Sequence, residues 1–118
     1  MNNRYLCRAK RSLNSKKWYI GNLVEEPDGL YLRANKNNIM VYIQDSSTIC
    51  QCTGLKDKNG KLIFENDIVR DDNGNIYKAF WQDRYYQFSW ICVKSDKLPI
   101  GAKWDFWSIR NYEIEVIG

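Results

Sequence analysis

Residues 53 to 69 read Thr53-Gly54-Leu55-Lys56-Asp57-Lys58-Asn59-Gly60-Lys61-Leu62-Ile63-Phe64-Glu65-Asn66-Asp67-Ile68-Val69. Asp57-Lys58-Asn59-Gly60 is a hairpin signal, with Asn-Gly predicted to supply left-handed backbone. Leu62-Ile63-Phe64 follows as a short apolar strand. Asn66 is predicted to take a positive φ, which Asn tolerates better than most residues. Asp67 then opens a new strand, with its carboxylate placed to accept backbone N–H groups at the corner. A tight turn, a short strand and a sharp corner in so few residues are the grammar of a β protein.

The flanks repeat that grammar. Tyr5 to Ala9, Trp18 to Val24, Leu30 to Arg33 and Ile39 to Ile43 read as strands before the block. Turns are predicted at Glu26-Pro27-Asp28-Gly29 and Asn35-Lys36-Asn37-Asn38, where Pro presets its own φ and Gly or Asn takes the difficult one. Asp45 to Thr48 fits a loop or one helical turn. After the block, Asp71-Asp72-Asn73-Gly74 is a second hairpin turn. Strands over Asn75 to Trp81 and Tyr86 to Val93 enclose Gln82-Asp83-Arg84-Tyr85. A loop with Pro99 and Gly101 leads to Trp104-Asp105-Phe106-Trp107, and Tyr112 to Ile117 alternates as a closing strand. Short strands between regular turns, without sustained 3.6-residue periodicity, indicate a mainly β barrel or sandwich with little helix.

Composition narrows the chemistry. The 118 residues contain no His, which excludes a Ser-His-Asp triad, a Cys-His dyad and His-ligated metal. The acids Glu65, Asp67, Asp71 and Asp72 do not form a convergent set: Asp71 and Asp72 are turn neighbours, and Asp67 has a structural role. Cys7, Cys50, Cys52 and Cys92 contain no C-x-x-C knuckle, so neither zinc nor another cofactor is expected. Cys50 and Cys52 belong on one strand face with Gln51 opposite. The longest apolar run, Ile39 to Ile43, is far too short to span a bilayer, and the polar N-terminus does not read as a secretory signal. A cytosolic protein with no membrane association is expected.

The net charge of +4 is uneven. Six of the 18 basic residues, Arg4, Arg8, Lys10, Arg11, Lys16 and Lys17, precede Val24 with no acid among them. That leaves 12 basic against 14 acidic residues in the rest. Such a patch suits phosphate, nucleic acid or an acidic protein face. It equally suits a solvated sheet edge protected by Lys and Arg against aggregation.

The central block resembles the signature of the YopX family. Arg8-Ala9-Lys10, the Trp18…Gly21…Leu23 strand and the closing Val116-Ile117-Gly118 are similar to further pieces of the family pattern, so the resemblance spans nearly the whole chain. Gly54, Asp57, Asn59, Gly60, Asn66 and Asp67 are its structural positions here. The chain departs from the family in having Asn66 where Gly is usual, and in stopping at Gly118 where the family continues. The resemblance implies an SH3-like barrel over residues 48–118, packed with a β-rich N-terminal part over residues 1–47 as one cooperative unit. It also implies phage or prophage origin, a bacterial cytoplasm, and no enzyme activity, catalytic residues or cofactor.

Aromatic residues crowd the second half: Phe80, Trp81, Tyr85, Tyr86, Phe88, Trp90, Trp104, Phe106 and Trp107. In extended backbone, one member of each pair Phe80-Trp81, Tyr85-Tyr86 and Phe106-Trp107 faces the core and the other faces away. Outward aromatics either cover the N-terminal part or form a binding surface. Arg84, Tyr85, Tyr86, Trp81 and Trp107 are the candidate partner-binding residues, with Arg84 at a hairpin tip. The expected function is a non-catalytic phage accessory protein that binds and modulates a bacterial host protein, in an anti-defence role among others. Alternatives are nucleic-acid binding by the basic segment and aromatics, and sequestration of a small nucleotide by aromatic and basic side chains. A homo-oligomer is also compatible with exposed β edges.

Overall fold

The computed structural model describes residues 6–34 and 39–118. Arg4, Tyr5 and the turn expected at Asn35 to Asn38 lie outside these residues. The described residues are mainly β, in two compact units, Met1–Cys52 and Thr53–Gly118. The boundary between the two units lies inside a strand, between Cys52 and Thr53.

The first unit contains β1 (Leu6–Ala9), β2 (Tyr19–Glu26), β3 (Gly29–Arg33), β4 (Met40–Ile43) and the start of β5 (Cys50–Lys56). They pair antiparallel in the order β4-β3-β2-β1-β5. Ala9, Leu32, Val41 and Ile43 form the buried cluster, joined by Tyr19 and Leu30. Leu30 and Leu32 stand opposite Ile43 and Val41, so alternation places all four on one face. Gly21 is required where it stands: a Cβ there would meet the Arg33 carbonyl oxygen at 2.2 Å. Asp45 caps a single 3-10 turn, Ser46–Thr48, by accepting from the Ser47 N–H at 2.9 Å. Cys50 and Cys52 are buried with Gln51 exposed between them, as strand alternation requires.

The second unit contains the end of β5, then β6 (Leu62–Phe64), β7 (Ile68–Asp71), β8 (Ile76–Gln82), β9 (Gln87–Lys94), β10 (Lys103–Asp105) and β11 (Ile114–Val116). β6 lies beside β5, and the remaining strands form an antiparallel sheet in the order β10-β9-β8-β7-β11. Its core gathers Ile63, Val69, Tyr77, Ala79, Trp90, Cys92 and Ile114. Trp90 is fully buried on β9, and burying a side chain of that size contributes about 3 kcal/mol. Asn66 has φ 72, and Asp67 accepts from the Phe64 N–H at 2.8 Å, so the corner is built as its residues suggest.

Neither sheet closes into a barrel. One ends at β4 and β6, the other at β10 and β11. β10 and β11 are three residues each, and the chain between them bends into 3-10 turns at Phe106–Ser108 and Asn111–Glu113. Extended backbone that closure would need is therefore spent on turns. The closing strand is accordingly shorter than the alternation over Tyr112 to Ile117 suggests.

Candidate functional site

β8 and β9 form the longest hairpin of the second unit, paired from Ile76 and Lys94 to Gln82 and Gln87. One face carries Tyr77, Ala79 and Trp81 opposite Cys92, Trp90 and Phe88. Tyr77, Ala79, Trp90 and Cys92 are buried, whereas Trp81, nearest the tip, is 38% exposed. The apolar face thus runs past the end of its core. Ring contacts follow the same path. Trp81 meets Phe88 edge-on at 5.1 Å, Phe88 stacks on Phe106 at 5.8 Å, and Phe106 stacks on Trp90 at 4.4 Å. An aromatic column therefore anchors the hairpin to the core.

At the tip, Asp83–Tyr85 is a 3-10 turn and Tyr86 is left-handed, with φ 49 and ψ 47. Tyr85 and Tyr86 are 57% and 83% exposed. The expected split of this pair between core and solvent does not occur, because neither residue is in extended backbone. The Arg84 guanidinium lies 5.6 Å from the Tyr85 ring centroid. Below the tip the flanking residues are tied down: Ser89 Oγ donates to Gln82 Oε1 at 2.9 Å, and Gln87 Nε2 donates to Asp105 Oδ1 at 2.7 Å. A rigid stem therefore presents Arg84, Tyr85 and Tyr86 together.

Trp107 is 79% exposed on the Phe106–Ser108 turn, with Phe106 half-buried beside it. That pair divides as expected. Phe80 and Trp81 do not divide so cleanly: Trp81 is on the core face yet exposed, and Phe80 is half-buried on the other face. Two recesses of this unit lie beside these aromatics. One, of about 300 Å³, is lined by Gln82, Tyr85, Lys103, Trp104, Asp105 and Ser108. The other, of about 420 Å³, is lined by Leu55, Phe106, Trp107, Ile109, Arg110 and Tyr112, among others. Tyr85 and Trp107 thus border different recesses. Lys103, which lies 5.8 Å from the Phe80 ring centroid, and Arg110, which donates to the Tyr112 hydroxyl at 2.9 Å, join these surfaces without having been singled out in the sequence. For Lys103 the signal is register: it sits opposite Ile91 on the face shared with Phe80.

The basic segment lies in the first unit. Arg8 and Lys10 place their cationic groups 4.7 and 4.8 Å from the Trp18 ring centroid. Arg11 and Lys17 lie 5.6 and 4.9 Å from that of Tyr19. Lys16 is exposed. The positively charged residues were legible in the sequence, but the two rings that organise them were not.

The family model described as YopX protein matches residues 28–118. No curated protein matches the chain.

Proposed function

The chain belongs to the YopX family, and from that premise we propose that it is a non-catalytic binding protein whose β8–β9 tip engages a bacterial host protein. The observation that carries the reading is Tyr86. Left-handed backbone costs a bulky residue about 1–2 kcal/mol, and Gly or Asn would occupy the position without that cost. Tyr86 is nevertheless the most exposed large hydrophobic residue described, on a stem fixed from below. A strained, solvated aromatic beside an arginine and a second tyrosine has the composition of an interface hot spot. Phage or prophage origin, action in the bacterial cytoplasm and modulation of host defence are the context in which we place this activity. The second unit also reads as an opened SH3-like arrangement, a four-strand meander with the last strand returning beside its first.

Tyr86→Gly provides the test. Relief of the left-handed strain raises unfolding stability by about 1 kcal/mol, while removal of the ring weakens partner binding at least about tenfold. Affinity chromatography from bacterial lysate identifies the partner, and titration with the purified partner measures both Tyr86→Gly and Arg84→Ala. Unchanged affinity in both variants overturns the proposal.

A further inference from the structure

We infer that the first unit carries a separate binding surface, in which the cations around Trp18 and Tyr19 take the phosphodiester backbone of single-stranded nucleic acid. Strand register gathers the array at the end of the β1–β2 hairpin, with Arg8 and Ile20 on one face and Ala9 and Tyr19 on the other. Ala9 pairs with Tyr19 and Arg8 with Ile20, which brings both ends of the segment between β1 and β2 together. Each ring thereby receives two cations. Among the described residues, Lys10, Arg11, Lys16 and Lys17 have no carboxylate within ion-pair distance. These four cations, gathered without counter-charge, create a local positive potential that an anion relieves.

The array is held in place. The Lys10 N–H donates to Thr48 Oγ1 at 3.2 Å, Thr48 Oγ1 donates to the Lys10 carbonyl at 3.1 Å, and the Gln44 N–H donates to the Arg11 carbonyl at 2.8 Å. Tyr19 packs on the buried cluster of this unit. Cations resting on a ring packed against the core lose less freedom on binding than cations on a mobile tail. The acids of the same hairpin are remote. Glu25 and Glu26 pair with Leu30 and Gly29 at the far end of β2, about 20 Å from Tyr19 at the usual rise per residue. Asp45 directs Oδ1 to the Ser47 N–H.

Nucleic acid fits better than an acidic peptide because the patch is not purely cationic. Trp18 is 41% exposed and Ile20, directly across from Arg8, is 48% exposed. Unpaired bases offer apolar faces to such groups and phosphates to the cations, whereas Asp and Glu side chains offer only charge. A duplex conceals its base faces, so the single strand is the form favoured.

Fluorescence anisotropy of an end-labelled oligothymidylate of about 15 nucleotides, titrated with the full chain, tests this. Binding is expected to weaken with salt with a log–log slope of about −3, from about −0.7 for each of four neutralised phosphates. The variant Lys10→Gln/Arg11→Gln/Lys17→Gln should lose at least about tenfold in affinity, with the slope falling to about −1. Trp18→Ala should weaken binding severalfold with little change in slope, and Trp18→Phe should restore most of it. Near-UV circular dichroism verifies that each variant is folded. Tyr86→Gly should bind the oligonucleotide like the parent chain, so this surface and the hairpin tip succeed or fail separately. Absence of binding at low salt, binding unchanged in the triple variant, or equal binding of duplex or polyglutamate each overturns the assignment.

Discussion

The turns at Asp57-Lys58-Asn59-Gly60 and Asp71-Asp72-Asn73-Gly74 are built alike and tied to different parts of the second unit. In the first, Asp57 Oδ1 accepts from the N–H groups of Asn59 and Lys61, both at 2.9 Å. In the second, Asp71 Oδ1 accepts from those of Asn73 and Asn75, at 3.0 and 2.9 Å. Gly60 and Gly74 have φ 81 and 83. The second carboxylate oxygens part company. Asp57 Oδ2 accepts from the Val116 N–H at 2.9 Å, across to β11. Asp71 Oδ2 accepts from Asn75 Nδ2 and the Tyr77 hydroxyl, both at 3.0 Å, within its own hairpin. Asp57 is buried and Asp71 only half-buried. One local motif therefore serves once as a clamp on the C-terminal strand and once as a brace within a hairpin.

The largest separation of the two turns is expected from Asp57→Ala. It strands three backbone donors, one of them on β11, and should lower unfolding stability by about 3 kcal/mol in urea titration. Its pH dependence is distinct. Burial pushes the Asp57 carboxyl up, but the N–H groups of Val116, Lys61 and Asn59 outweigh burial and hold it below its ordinary value. As pH falls, the unfolded chain takes up this proton first, near pH 4. The stabilisation is therefore complete above that pH and is lost as pH falls through the lower folded value. Asp57→Asn, unable to titrate, should flatten the acid limb of the stability profile. An unchanged acid limb removes Asp57 as the clamp.

Asp71→Ala should cost about half as much, about 1.5 kcal/mol, because water reaches the donors it leaves. A loss equal to that of Asp57→Ala in the same titration makes the two turns equivalent and ends the comparison. Gly60→Ala and Gly74→Ala probe what they share. A Cβ at either glycine meets nothing within 4 Å, so only left-handed backbone opposes it. Each should cost about 1 kcal/mol, and the two values should agree within a few tenths. A clear inequality in denaturant midpoints locates a difference inside the turns themselves.

The two turns also mark how far the sequence could be read. Their positions, and the left-handed glycines, follow from Asn-Gly. The expectation that Asn59 shares the left-handed backbone does not hold. The type I′ turn that Asn-Gly favours needs positive φ at both central positions, whereas here Asp57 N–H donates to the Lys61 carbonyl and encloses a three-residue loop with only Gly60 left-handed. Burial along β8 and β9 was legible because alternation is a local property, while the 3-10 turn that exposes both Tyr85 and Tyr86 breaks that alternation. The open sheets and the Trp18 and Tyr19 contacts were not legible. They depend on which distant residues stand opposite one another, and no single stretch encodes that.

Tyr77→Phe is the finest test, because it removes one bond from the brace and nothing from the clamp. Tyr77 is buried, and burial together with its hydrogen bond to Asp71 pushes its phenol up to about 12. An unfolded tyrosine ionises near pH 10. The unfolded chain therefore releases this proton first as pH rises, so Tyr77 stabilises fully below about pH 10 and progressively less through about pH 12. At neutral pH, Tyr77→Phe should lose only about 1 kcal/mol, since Asn75 still donates to Asp71 Oδ2. Above pH 10 the gap between parent and variant in urea midpoint should shrink toward zero. In an Asp71→Ala background, Tyr77→Phe should cost less than it does alone, because its partner is already gone. In an Asp57→Ala background its cost should be unchanged. A cost that instead falls with Asp57→Ala would mean that clamp and brace act as one network, and that the difference between the two turns lies only in how they are drawn.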